Sequence, residues 1–182
     1  MSTPESLKVL YSEEIIAARI RELGAEIDRI YAGKELILVA VLKGAFPFLA
    51  DLCRAISMDL RVEFLGVSSY GSDTKTSGVV RITQDLTKPI EGAHVLLVED
   101  IVDTGLTLRY ILENLSTRNP SSVGICTLLD KPVNRRVDVA VDFCGFTIPD
   151  HFVVGYGMDL AESYRNLPYI GFFDPPESAR KP

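Results

Sequence analysis

Basic residues are in the minority in this chain: 19 Lys and Arg stand against 25 Asp and Glu, a formal net charge of −6. Such a chain has no global attraction for nucleic acid or anionic lipid. Any phosphate it binds must be met locally, by a few cations, backbone amides or a metal. Cysteine is also scarce. Cys53, Cys126 and Cys144 lack metal-ligand spacing and each lies in an apolar segment. Buried, reduced thiols in a cytoplasmic setting are expected. Long apolar runs are missing. The longest, Leu36 to Leu42, is far too short to cross a bilayer, so no membrane partner is expected. The opening MSTPESLKVL has neither the basic start nor the apolar stretch of a secretory signal. Internal repeats and low-complexity linkers are absent, as are a GxxxxGK[ST] loop and a GxGxxG turn.

The chain does have enough apolar material for a core: 47% of its 182 residues, a length that suits one domain. Ser12, Glu13 and Glu14 read as a helix start, with a capping hydroxyl and carboxylates at the positive dipole end. Ile16, Ile20, Leu23, Ile27 and Ile30 recur at helical spacing, and Gly33 ends the pattern. Leu36 to Leu42 reads as a strand covered on both faces. A helix carrying Phe48, Leu49 and Leu52 follows, then strands at Val62–Val67 and Val79–Thr83 around a polar loop, Ser68 to Gly78. Lys88 to Gly92 is a turn. Val95–Val98 is a strand, Thr107–Leu115 a helix, and Val123–Leu129 and Val139–Phe143 further strands. The alternation predicts an α/β fold with a mainly parallel sheet flanked by helices. Ligands of such sheets bind at the carboxyl ends of the strands.

The most informative stretch is Val95 to Thr107. A buried strand runs into Glu99 and Asp100, Asp103 follows, and Thr104-Gly105-Leu106-Thr107 opens a helix. Successive amides in such a turn, backed by a helix dipole, suit a phosphate, and the threonine hydroxyls add donors. Carboxylates beside a phosphate repel it unless sugar hydroxyls or magnesium intervene.

This stretch resembles the signature of the type I phosphoribosyltransferases, and other segments extend the likeness from about Val9 to Phe173. Leu42-Lys43-Gly44 resembles the family's pyrophosphate loop, in which the peptide before the lysine is often cis. Ser68-Ser69-Tyr70-Gly71 resembles its flexible catalytic loop. Leu129-Asp130-Lys131-Pro132, Phe152 to Asp159 and Tyr164-Arg165-Asn166-Leu167 are similar to the hypoxanthine-guanine branch. The resemblance implies a core of about residues 34–150 and a small hood from about 1–33 and 151–182.

The roles it implies fit plain chemistry. Glu99 and Asp100 hold ribose hydroxyls and magnesium, Asp159 holds a second magnesium through water, and Asp103 to Thr107 wrap the 5-phosphate. Lys43, Gly44 and Arg165 meet the pyrophosphate, while Ser69 and Tyr70 close as a lid. Lys131, a pure donor, faces the 6-oxo group. Phe152 and Ile101 sandwich the purine, and Val153 and Asp159 meet its edge. His94 and His151 match no family catalytic position and read as structural. The implied reaction joins hypoxanthine or guanine to the ribose of 5-phosphoribosyl 1-pyrophosphate, giving IMP or GMP, with Asp103 as general base. A xanthine-preferring transferase and a non-catalytic sensor of the ribosyl donor are the alternatives. Relatives are dimers or tetramers, so a homo-oligomer is expected, with no nucleic-acid partner.

Overall fold

The computed structural model describes residues 7–69 and 80–173. The elements in order are β1 (Leu7–Tyr11), α1 (Glu13–Tyr31), β2 (Leu36–Leu42), α2 (Phe46–Ala55), β3 (Arg61–Ser69), β4 (Val80–Gln84), β5 (His94–Val102), α3 (Leu106–Ser116), β6 (Ser122–Asp130), β7 (Phe143–Thr147), β8 (Val153–Val154) and β9 (Ile170–Phe173).

An apolar strand with no polar side must be covered twice, and β2 is. Leu36, Leu38 and Ala40 face one cluster with Ile16, Leu23 and Ile27 of α1 and Phe48 and Leu52 of α2. Ile37, Val39 and Val41 face the other, with Leu108, Ile111 and Leu115 of α3. Each such Leu, Ile, Val or Phe side chain contributes roughly 1.5–3 kcal/mol by leaving water. The result is a six-stranded sheet in the order β4-β3-β2-β5-β6-β7, parallel except for the edge strand β4. Ser12 caps α1 as its sequence predicts, its hydroxyl accepting from the Ile15 amide at 3.5 Å.

Three strands depart from the sequence reading. β3 does not stop at Val67; Ser68 and Ser69, assigned to the loop, pair with Arg81 and Val80 of β4. β5 does not stop at Val98; its pairing with β6 continues to Val102↔Asp130, so the acidic pair lies inside the strand. The strand expected at Val139–Phe143 is instead β7, starting at Phe143. The reason is local. Val139 packs into the α3 cluster, and Asp142 folds onto β6, its carboxylate accepting from the Ile125 amide at 2.8 Å. Sheet pairing begins only after it, at Cys126↔Phe143.

A second sheet, β1-β9-β8, is antiparallel and joins the two ends of the chain. Val153, Tyr156, Met158 and Ile170 from this region share the apolar cluster of α1 and α2. The helix α1 packs on α2 and β7. It therefore lies in the layer that covers the central sheet.

Candidate active site

In the central sheet the chain leaves β2 towards β3 on one side and returns with β5 on the other. Connections depart in opposite directions there, so a crevice opens beyond the carboxyl ends of β2 and β5. Lys43 and Gly44 follow β2, and Glu99 to Asp103 end β5. The Leu42–Lys43 peptide is cis. Gly44 is required by close approach: a Cβ on it would run into the Asp100 carboxylate. Gly157, at φ +99°, lies against the Gly44 carbonyl on the hood side. Gly44 thus packs against the Asp100 side chain on one side and the backbone around Gly157 on the other.

The turn after β5 is tightly packed and braced. Gly105, at φ +81°, precedes α3, and a Cβ there would meet the Val137 carbonyl oxygen at 2.8 Å. The Thr104 carbonyl accepts from the amides of Arg136 and Val137 at 3.0 and 3.2 Å. Arg135 braces the turn from below: its Nε donates to the Asp103 carbonyl at 2.9 Å and its guanidinium pairs with Asp130. Glu99, Asp103, Thr104, Gly105 and Thr107 line a cavity of about 110 Å³ at this turn.

A second cleft, about 230 Å³, adjoins it and shares Asp103. Asp100, Ile101, Lys131, Phe152, Val153 and Asp159 line it, so the residues expected around a purine come together. Parallel register explains the central pair. Val102 of β5 sits opposite Asp130 of β6, which places Asp103 and Lys131 side by side, one residue further on. Lys131 Nζ lies 3.5 Å from Asp103 Oδ2 and 3.2 Å from Asp150 Oδ1, its side chain only 10% exposed. Asp103 Oδ1 is buried without a hydrogen-bond partner. Phe152 is 57% exposed. A ring in the core would be covered; this one is held out beside the cleft.

At the hood side of the crevice Lys43 Nζ meets Glu162 at 3.1 Å. Arg165 meets Asp159 at 2.7 Å and Glu162 at 3.5 Å and donates to the Gly157 carbonyl at 2.8 Å, while its buried Nε has no partner. The three carboxylates expected to hold metal do not form a cage. Asp159 is engaged by Arg165 and by the Glu162 amide, and among the described residues no group of three His, Cys, Asp or Glu side chains is arranged for an ion. A magnesium ion that keeps its waters and arrives with substrate phosphates needs only one or two protein carboxylates, which Glu99 and Asp100 can supply.

Burial, and secondarily the neighbouring Asp100, pushes the Glu99 carboxyl well above the carboxylate range. Burial also raises Asp100 to about 6, against the pull of the Ile101 amide and the Arg165 charge. Burial pushes the Cys126 thiol up as well, and all three cysteines are free.

Ser69 ends β3 opposite Val80; Tyr70 and the rest of the expected lid, to residue 79, lie outside the described residues. His94 is structural, its Nδ1 2.7 Å from Ser122 Oγ near the amino ends of β5 and β6. His151 has a double position. It stacks on Phe172 at 4.3 Å and also lines the second cleft, as does Met158. Sequence reasoning did not single out Met158, Arg135 or Asp150, and it read His151 as structural, which the stacking on Phe172 fits.

A model described as the phosphoribosyl transferase domain matches residues 6–161. The hypoxanthine-guanine phosphoribosyltransferase of Bacillus subtilis is 51% identical over 168 residues, 92% of this chain and 93% of that protein. The enzyme of the same name from Mycobacterium avium is 54% identical over 173 residues, covering 92% and 85%. Among solved structures, a hypoxanthine phosphoribosyltransferase from Staphylococcus aureus superposes with a TM-score of 0.89 at 46% identity, covering 96% and 94%.

Proposed function

The chain belongs to the phosphoribosyltransferase family, and from that premise we propose that its crevice joins hypoxanthine or guanine to the ribose of 5-phosphoribosyl 1-pyrophosphate, giving IMP or GMP and pyrophosphate. Its work is purine salvage by phosphoribosyl transfer.

One observation carries the assignment of roles: Asp103 lines both clefts with its side chain 42% exposed, one carboxylate oxygen 3.5 Å from the Lys131 ammonium and the other with no hydrogen-bond partner. A carboxylate with unfilled acceptor capacity on the wall of a cleft can take a proton from a ligand there. With the 5-phosphate on the Thr104–Thr107 amides and the base between Ile101 and Phe152, that carboxylate takes the purine N–H proton. The freed nitrogen bonds to C1 of the ribose as the C1–oxygen bond to pyrophosphate breaks. Lys43, Arg165 and the amides after β2 meet the departing charge. Magnesium, when bound with the diphosphate beside Glu99 and Asp100, supplies charge neutralisation. Lys131 donates to the 6-oxo group. Adenine offers an amino group there, so donor would face donor. Sites built for one hydrogen bond reject the wrong partner by roughly 10⁴-fold.

The test is pyrophosphate release from the purified chain with the ribosyl donor and each of four bases, with and without a chelator. Hypoxanthine and guanine should exceed adenine in kcat/KM by about 10⁴-fold, and chelation should abolish turnover. Comparable rates for adenine would overturn the 6-oxopurine reading. A dominant rate with xanthine would move the preference to that base. Donor binding without turnover would make the chain a sensor.

A further inference from the structure

Lys131 is one ammonium between two carboxylates. It has three N–H donors and no acceptor. Asp103 Oδ2 and Asp150 Oδ1 stand near two of them, at 3.5 and 3.2 Å. That leaves one donor for a ligand in the cleft that Lys131 lines with Ile101, Phe152 and Val153. The shorter contact is to Asp150, a residue outside the motif and not among the walls of the cleft.

Asp150 is fixed by the segments around it. The same Oδ1 accepts from Asn134 Nδ2 at 2.9 Å. Asn134 ends the 3-10 turn Pro132–Asn134 that directly follows Lys131. Two residues before Asp150, the Ile148 amide donates to the Asp130 carbonyl at 2.8 Å. The Asn134 amide, and after it Lys131, keep the Asp150 carboxyl below its ordinary value, so it is ionised at neutral pH. Asp150 is 60% exposed, so the pair adds little to stability. Its consequence lies at the other end, where Lys131 is almost wholly covered.

We propose that Asp150 is a positioning residue for base recognition: with Asn134 it draws the Lys131 ammonium away from Asp103, leaving one donor for the 6-oxo group and leaving Asp103 free to act as base. The inference rests on the assignment of Lys131 to the 6-oxo group. Without Asp150, Lys131 keeps Asp103 as its one ion-pair partner among the described residues. The two close on each other, the donor turns from the purine, and Asp103, tied to a cation, becomes a weaker base.

Asp150→Ala should lower kcat/KM for hypoxanthine by roughly 10- to 100-fold, the scale of one charge-assisted hydrogen bond. KM for the base should rise and kcat fall, with KM for the ribosyl donor and the melting temperature little changed. Asp150→Glu should restore part of the loss. The decisive measurement is the cycle with Lys131→Met: in that background Asp150→Ala should have almost no further effect, because its target is gone. Additive losses, or a rise in KM for the donor as large as that for the base, would overturn the proposal. If Asp150→Ala is poorly folded, Asp150→Asn gives the same cycle with the carboxylate replaced by an amide of equal size. A failure of the underlying assignment looks different: Lys131→Met alone would then leave the preference for hypoxanthine over adenine intact.

Discussion

Asp103 combines properties that rarely coincide in one carboxylate. One oxygen is near an ammonium, the other is buried and unpartnered, and the backbone carbonyl of the same residue is gripped by Arg135. The Arg135 bond holds the residue still. Asp103→Ala should therefore reduce kcat by about 10²–10⁴-fold, the range for a positioned base, while the ribosyl donor still binds, since the amides of the turn remain. Single-turnover rates beside donor binding by calorimetry separate the two; an unchanged rate in the folded variant would remove Asp103 from the chemistry. At this scale the sequence was informative where chemistry is consecutive. The acids, the glycine and the threonines from 99 to 107 stand in one stretch and line two adjoining clefts. It was uninformative where chemistry crosses between elements. Asp150 reaches Lys131 through a side-chain contact that no local pattern announces. Phe152 taken alone has the composition of a core residue; the resemblance gives it a place beside a purine, and the structure holds it exposed on the cleft.

The elements form from periodicity, but a few polar side chains decide how they are joined. Asp28, on α1, accepts from the Ser57 amide at 2.9 Å, the Ser57 hydroxyl at 2.8 Å and the Met58 amide at 3.0 Å. It pins the connection between α2 and β3. Partial burial pushes its carboxyl up, but these bonds outweigh it and the net displacement is downward. The sign follows from that direction. A carboxyl lowered on folding contributes fully above its unfolded value of about 3.9 and loses that contribution as pH falls through the folded value. Asp28→Ala should lower stability by roughly 2 kcal/mol at neutral pH, and the gap should narrow near pH 3 and below. Urea melts at both pH values test this; an equal gap at each would mean the charge is irrelevant. Long elements such as α1 and β2 were legible because their apolar repeats run for several turns or residues. The placement of β7 was not, because Asp142 ends one pattern of backbone pairing and starts another. The hood strands, two to five residues long, are too short for any period.

For the whole molecule, charge and topology work together. An acidic chain gathers Lys43, Lys131 and Arg165 around the point where the sheet reverses direction, and the hood brings Gly157 and Arg165 over it. The hood also ties the beginning of the chain to its end: Leu7 and Phe173 are register partners on adjacent antiparallel strands. During synthesis the first strand leaves the ribosome long before its partner exists, so this sheet is the last part of the fold that can form. The contact also has a very high sequence separation, the kind that slows folding. Because neighbouring strands lie only about 5 Å apart, the molecule is close to a closed ring. A permutant with residues 7 and 173 joined by a short Gly-Ser linker, and the chain opened between the exposed Lys88 and Pro89, should fold and turn over hypoxanthine. Its refolding, followed by stopped-flow fluorescence after urea dilution, should be faster than that of the natural order, since the two hood strands are then made as neighbours.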